Sequence, residues 1–132
     1  MSNLQLWYMD NEIKSRLYDI LNAITEIERF FDETTQDFTT YQQEDPEIKH
    51  SVEAHIETVG EALTYIIQKD PGIQISVATK ILDAKNRIHN DHNAVTDEMI
   101  WSIVVNYLEA LKIEVDRMLN DWDIYLFNNK AH

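Results

Sequence analysis

The chain of 132 residues carries 24 acidic against 11 basic side chains, a formal net charge of −13, and no cysteine. That length suits one domain around one core, and a hydrophobic share of 44% is enough to offset chain entropy, so a disordered chain is excluded. The missing cysteines remove disulfides, thiolate zinc sites and a cysteine nucleophile together, and the acidic field repels phosphate backbones and anionic lipid, so any nucleic acid must meet a local exception.

Met1 to Asp10 shows no basic start followed by an apolar run, and no stretch approaches the roughly 20 apolar residues that a bilayer demands. A cytoplasmic protein without a membrane span is the expectation. A first helix is predicted from about Asn11 to Asp32, where Ile13, Leu17, Ile20, Leu21, Ile24, Ile27 and Phe31 recur three or four apart and Asp10 or Asn11 can cap the start. A polar stretch with Thr34, Thr35, Thr39 and Thr40 then breaks the pattern.

Asp45-Pro46 signals a second helix, since Asp caps free amides and Pro fits a first turn that needs no donor there. Its buried stripe should be Ile48, Val52, Ile56, Val59, Leu63, Ile66 and Ile67, and Asp70-Pro71-Gly72 should end it, with Gly easing the turn. Gly60 lies inside this helix at a cost of about 1 kcal/mol relative to Ala, which a close helix approach would offset.

A third helix is expected over roughly Ile75 to Asn90, with Val77, Ile81, Ala84 and Ile88 on one face. Asn93 to Val95 reads as a short link. Thr96 caps a fourth helix with Asp97 and Glu98 in its first turn and Ile100, Val104, Leu108, Leu111, Val115 and Met118 toward the core. Apolar content continues through Trp122, Tyr125, Leu126 and Phe127. The prediction is an all-α, up-and-down bundle of four or five helices, one domain over 1–132 with its core at about 10–120. An apolar stripe left over would seed a homodimer.

No Gly-rich phosphate loop, nucleophile elbow or H-E-x-x-H pattern occurs. The unusual segment is Lys85-Asn86-Arg87-Ile88-His89-Asn90-Asp91-His92, extended by Lys80, and it is the natural exception to the acidic surface. Imidazole suits proton transfer near neutral pH, and a Lys or Arg can stabilise a pentavalent phosphate. Lys85, Arg87, His89 and His92 are therefore the candidate catalytic residues, Asn86, Asn90 and Asp91 the polar support, and Lys80, Lys85 and Arg87 the candidate RNA-binding cations. Such a set can cleave RNA through the ribose 2′-hydroxyl without metal or cofactor, and DNA, lacking that hydroxyl, is spared. The plainer alternative is a set of polar residues that cap the helix end, stay solvated or pair with the many carboxylates. His89 and His92, at i and i+3 with Asp91 nearby, fall short of a metal site without further ligands. His50, His55 and His132 read as solvated or structural, and Trp7, Trp101 and Trp122 as core or interface anchors.

Over about 110 residues, from the first helix to Leu119, the chain resembles the HepT-like ribonuclease family of the HEPN superfamily. Three landmarks carry the likeness: Ile56-Glu57-Thr58-Val59-Gly60-Glu61-Ala62, the 85–92 segment, and Val95, Asp97, Glu98, Ile100 and Trp101 after it. The resemblance implies a homodimeric toxin whose motif R-N-x-x-x-H-x-Y forms a composite ribonuclease site, paired with a minimal nucleotidyltransferase antitoxin of the MntA type that adenylylates the Tyr. Aligned without gaps, Lys85 stands at the Arg position, Asn86 matches the Asn, Asn90 stands at the His position and His92 at the Tyr position. A shift of two gives Arg87 and His92, a literal R-x4-H match. Two classes of function follow: an endoribonuclease toxin using Lys85 or Arg87 with His89 or His92, and a catalytically silent dimeric module that engages a nucleotidyltransferase.

Overall fold

The computed structural model describes residues 10–33, 37–91 and 94–130, with side chains described for 11–31, 37–91 and 94–122. The helices are α1 (Asp10–Glu33), α2 (Phe38–Gln42), α3 (Pro46–Lys69), α4 (Ala78–Asn90), α5 (Asp97–Ile103) and α6 (Glu109–Lys130), with a π-helical turn at Val104–Leu108 joining the last two. Four long helical rods and the short α2 thus form an all-α bundle.

The apolar spacing of α1 places Ile13, Leu17, Ile20, Ile24 and Ile27 in the core, with Leu21 and Phe31 partly covered at its edge. Helix α3 answers with Val52, Ile56, Val59, Leu63 and Ile66, while Ile67 packs at the rim. Glu12 near the start of α1 meets the end of α3, accepting from the Tyr65 hydroxyl and lying 4.0 Å from Lys69 Nζ, so the two helices run antiparallel. Lys112 Nζ, 3.0 Å from Glu28 Oε1, ties α6 to the far end of α1. That hydrogen bond to Glu28 is the main reason the Lys112 ammonium is held above its ordinary pKa.

The ends of these helices show which local signals act. Asp45 occupies the cap of α3, but its side chain makes no capping hydrogen bond; its carbonyl accepts from Ile48 and Lys49 at 3.0 and 3.1 Å. The α3 stop lies in Asp70, whose N–H donates to Ile66 O at 2.9 Å and whose buried carboxylate accepts from Gly72 N at 3.1 Å. Neither glycine has a positive φ, so Gly72 contributes no left-handed turn. Helix α4 starts three residues later than its apolar pattern predicts. The Ser76 N–H and hydroxyl both donate to the Glu114 carboxylate, which holds that residue outside the helix and leaves Val77 at the cap. Thr96 caps α5 as expected, accepting from Met99 N at 3.2 Å.

The expected core face of the last rod is corrected at two places. Ile103 and Leu119 are buried, while Val104 and Met118 only pack against the core. The step from Ile103 to Leu108 is five residues, one turn of π-helix, and this insertion rotates the following face until Leu108, Leu111, Val115 and Leu119 point inward. Capping by Asp10, the residues Trp7, Thr34, Thr35, His92, Asn93 and His132, and the side chains of Tyr125, Leu126 and Phe127 lie outside the described residues. Among the described residues no helix is long and apolar enough to cross a membrane.

Candidate functional site

Ala78, Ile81, Ala84 and Ile88 bury one stripe of α4, and the residues of the basic segment are distributed around it by helical periodicity. Lys85 and His89, at i and i+4, share the flank that faces α3. Lys80 and Arg87, seven apart, share the opposite flank, where Arg87 Nη1 lies 3.9 Å from Met99 Sδ of α5. Residues two apart on a helix point roughly 200° away from each other, so the structure brings Lys85 and His89 together and separates Arg87 from His89. Asn86, Arg87, His89 and Asn90 are exposed, and Lys85 is half-buried through its stem.

Asp91 closes α4, its N–H donating to Arg87 O at 2.9 Å and its carbonyl accepting from Ala94 N at 3.0 Å. The 85–92 segment is therefore helix to residue 90 with Asp91 as its cap, and His92 lies outside the described residues. Lys80, Lys85 and His89 make no ion pair or hydrogen bond to another described residue. In a chain with 24 carboxylates that is informative, because the pairing expected of solvated surface cations is missing here. Within α4 three cations, Lys80, Lys85 and Arg87, face a single carboxylate, Asp83.

Beside this helix opens a groove of about 740 Å³ between α2, the first half of α3, the end of α4 and the start of α5. Of the described residues of the basic segment only Ile88 lines it. Its polar wall is Lys49, His50, Glu53, Glu57 and Asp97, and its floor includes Tyr41. Lys49 Nζ donates to Asp97 Oδ2 at 3.0 Å and to Gln42 O at 2.7 Å, clamping α2, α3 and α5 together at one edge. Tyr41 is buried and stacks with Phe31 and Trp101 at centroid distances of 5.6 and 6.1 Å, while Trp101 contacts Phe38 at 6.2 Å. Burial, then the charges of Asp97 and Glu53, push the Tyr41 hydroxyl far above its usual pKa, so it stays protonated. Three carboxylates against one ammonium make this groove a poor seat for a phosphate backbone.

The exposed face of α4, not the groove, is thus the surface suited to an anion. His55 is structural, its Nδ1 lying 2.6 Å from Ser51 O, but His50 stands on the groove wall. The spacing 50, 53, 57 places His50, Glu53 and Glu57 on one face of α3 and was the available sequence signal; nothing in it pointed to Tyr41 or Asp97 as neighbours. Trp122 is a core residue, and Trp101 anchors the aromatic cluster. Among the described residues no three His, Asp or Glu side chains gather as a metal-binding group. The chain matches no family model, no curated protein and no solved structure.

Proposed function

We propose that this chain is a HepT-like toxin domain of the HEPN type that cleaves RNA in the cytoplasm without metal, using the exposed face of α4. The observation that supports this most is the uncommitted pair of Lys85 and His89, one turn apart on the same flank of the most basic helix in an acidic protein. Lys85 stabilises the charge that develops on the phosphate. An imidazole, His89 or the following His92, removes the proton from the ribose 2′-hydroxyl. The freed oxygen bonds to phosphorus, the bond to the 5′-oxygen breaks, and a protonated imidazole returns a proton to that leaving oxygen. A cyclic phosphate and a 5′-hydroxyl result, and DNA is spared.

Because Arg87 and His89 stand on opposite flanks, one copy does not gather both around one phosphate; the resemblance supplies a homodimer, in which two α4 helices would combine their groups. It also supplies a minimal nucleotidyltransferase partner of the MntA type, acting by occlusion or on a residue other than position 92, where the family's Tyr is His. The same separation of Arg87 from His89 favours one second reading, a catalytically silent dimeric module that engages such a partner. Incubation of the purified chain with mixed RNAs at neutral pH, with and without a chelator, divides the two. Chelator-resistant cleavage that is lost in His89→Ala or His92→Ala supports the ribonuclease, and intact RNA throughout leaves the binding module.

A further inference from the structure

Gly60 is buried at the middle of α3 and has no positive φ, so backbone conformation does not require glycine there. The requirement is steric. A Cβ at residue 60 would overlap Lys85 Cβ, stand 2.5 Å from Lys85 Cγ and press on Cδ at 3.3 Å. The Cγ and Cδ can swing aside by rotamer change, but Cβ is fixed to the backbone of α4, so any larger residue at 60 forces the two helices apart at residue 85.

We propose that Gly60 is a positioning residue for the α4 site: by letting α4 seat against α3, it pins the stem of Lys85 and fixes where its ammonium stands beside His89. Lys85 is half-buried while Lys80 on the other flank is exposed, as this seating demands. The catalytic consequence rests on the ribonuclease reading above, whereas the seating of Lys85 does not.

The test is Gly60→Ala, with Ile20→Val, a core change on α1, as the control for lost stability. Limited acylation followed by mass spectrometry should label Lys85 more slowly than Lys80 in the wild type, and Gly60→Ala should raise Lys85 toward Lys80. Cleavage should lose about tenfold or more in kcat, with KM changing much less, because misplacement of a charge-stabilising group acts on the transition state. Ile20→Val should change neither readout. The double variant Gly60→Ala/Lys85→Gly removes the overlapping Cβ, so it should unfold at higher denaturant than Gly60→Ala alone, or fold where Gly60→Ala does not. A folded Gly60→Ala with wild-type labelling and wild-type kcat, or a double variant no more stable than Gly60→Ala, overturns the inference. A wild type that cleaves no RNA defeats the ribonuclease reading, and the labelling and stability comparisons then decide the role of Gly60 by themselves.

Discussion

Lys85 and His89 lie one helical turn apart, and the chemistry assigned to each makes separate demands on its replacement. Removing the imidazole removes a proton carrier, so truncating the responsible histidine, His89→Ala or His92→Ala, should lower cleavage at least about a hundredfold, the usual scale of general acid–base catalysis. Asn90→Ala, which deletes an exposed amide, should cost much less, and single-turnover assays on one RNA would compare them. Tyr41 makes a separate demand on stability. Its hydroxyl pKa is raised in the fold from 10.0, so the folded state holds this proton more tightly than the unfolded chain. The stabilisation is complete below about pH 10 and falls as pH rises beyond it. Urea midpoints between neutral and strongly alkaline pH should therefore decline, and decline less steeply in Tyr41→Phe. The cationic and imidazole residues of α4 were legible in the sequence because they crowd into one short segment. Tyr41, His50 and Asp97 were not legible as neighbours, since they come from three helices and meet only in the folded bundle.

Helix starts illustrate how a local signal can be right about place and wrong about cause. Asp45-Pro46 begins α3 as read from the sequence, yet the Asp45 side chain caps nothing. Thr96 does bond the Met99 amide. Thr96→Ala should accordingly cost about 1 kcal/mol, and Asp45→Ala a few tenths, in equilibrium denaturation. The π-helical turn is a second case at this scale. Periodicity alone passes through Val104 and Leu108 as consecutive core positions four apart, a regular helical step. The actual step runs from Ile103 to Leu108, because two apolar faces of one rod must meet different neighbours, α2 and α4 along the first part and α1 along the second. The late start of α4 has the same origin, a contact from Glu114 some 38 residues away.

Across the whole molecule the charge balance sets the terms of any RNA encounter. With a net charge of −13, binding must depend on the few cations of α4, so the variant Lys80→Ala/Lys85→Ala/Arg87→Ala should lose RNA affinity altogether, and wild-type affinity should fall steeply with added salt. Filter binding across a salt series measures both, and unchanged affinity in the triple variant would remove α4 as the footprint. Val105 and Ile113, each 49% exposed, leave apolar side chains on the surface of the last rod. Light scattering of dilute protein should give the mass of a dimer; a monomeric mass would count against the composite site.

By itself the sequence determined the class of structure. Glycine and proline are too few for a turn-rich β chain, and apolar residues three and four apart can be buried together only on helices, so the all-α bundle and most of its core faces follow from local periodicity. It also determined that α4 has a basic balance, Lys80, Lys85 and Arg87 against Asp83, because charge is a property of composition and order. Only the tertiary structure decided which neighbour each flank of α4 meets, Lys85 against Gly60 and Arg87 against Met99. The depth at which Gly60 lets α4 seat against α3, and the acidic groove beside them, depend on contacts between helices. Such contacts join residues far apart in the chain, and no local pattern encodes which of them will touch.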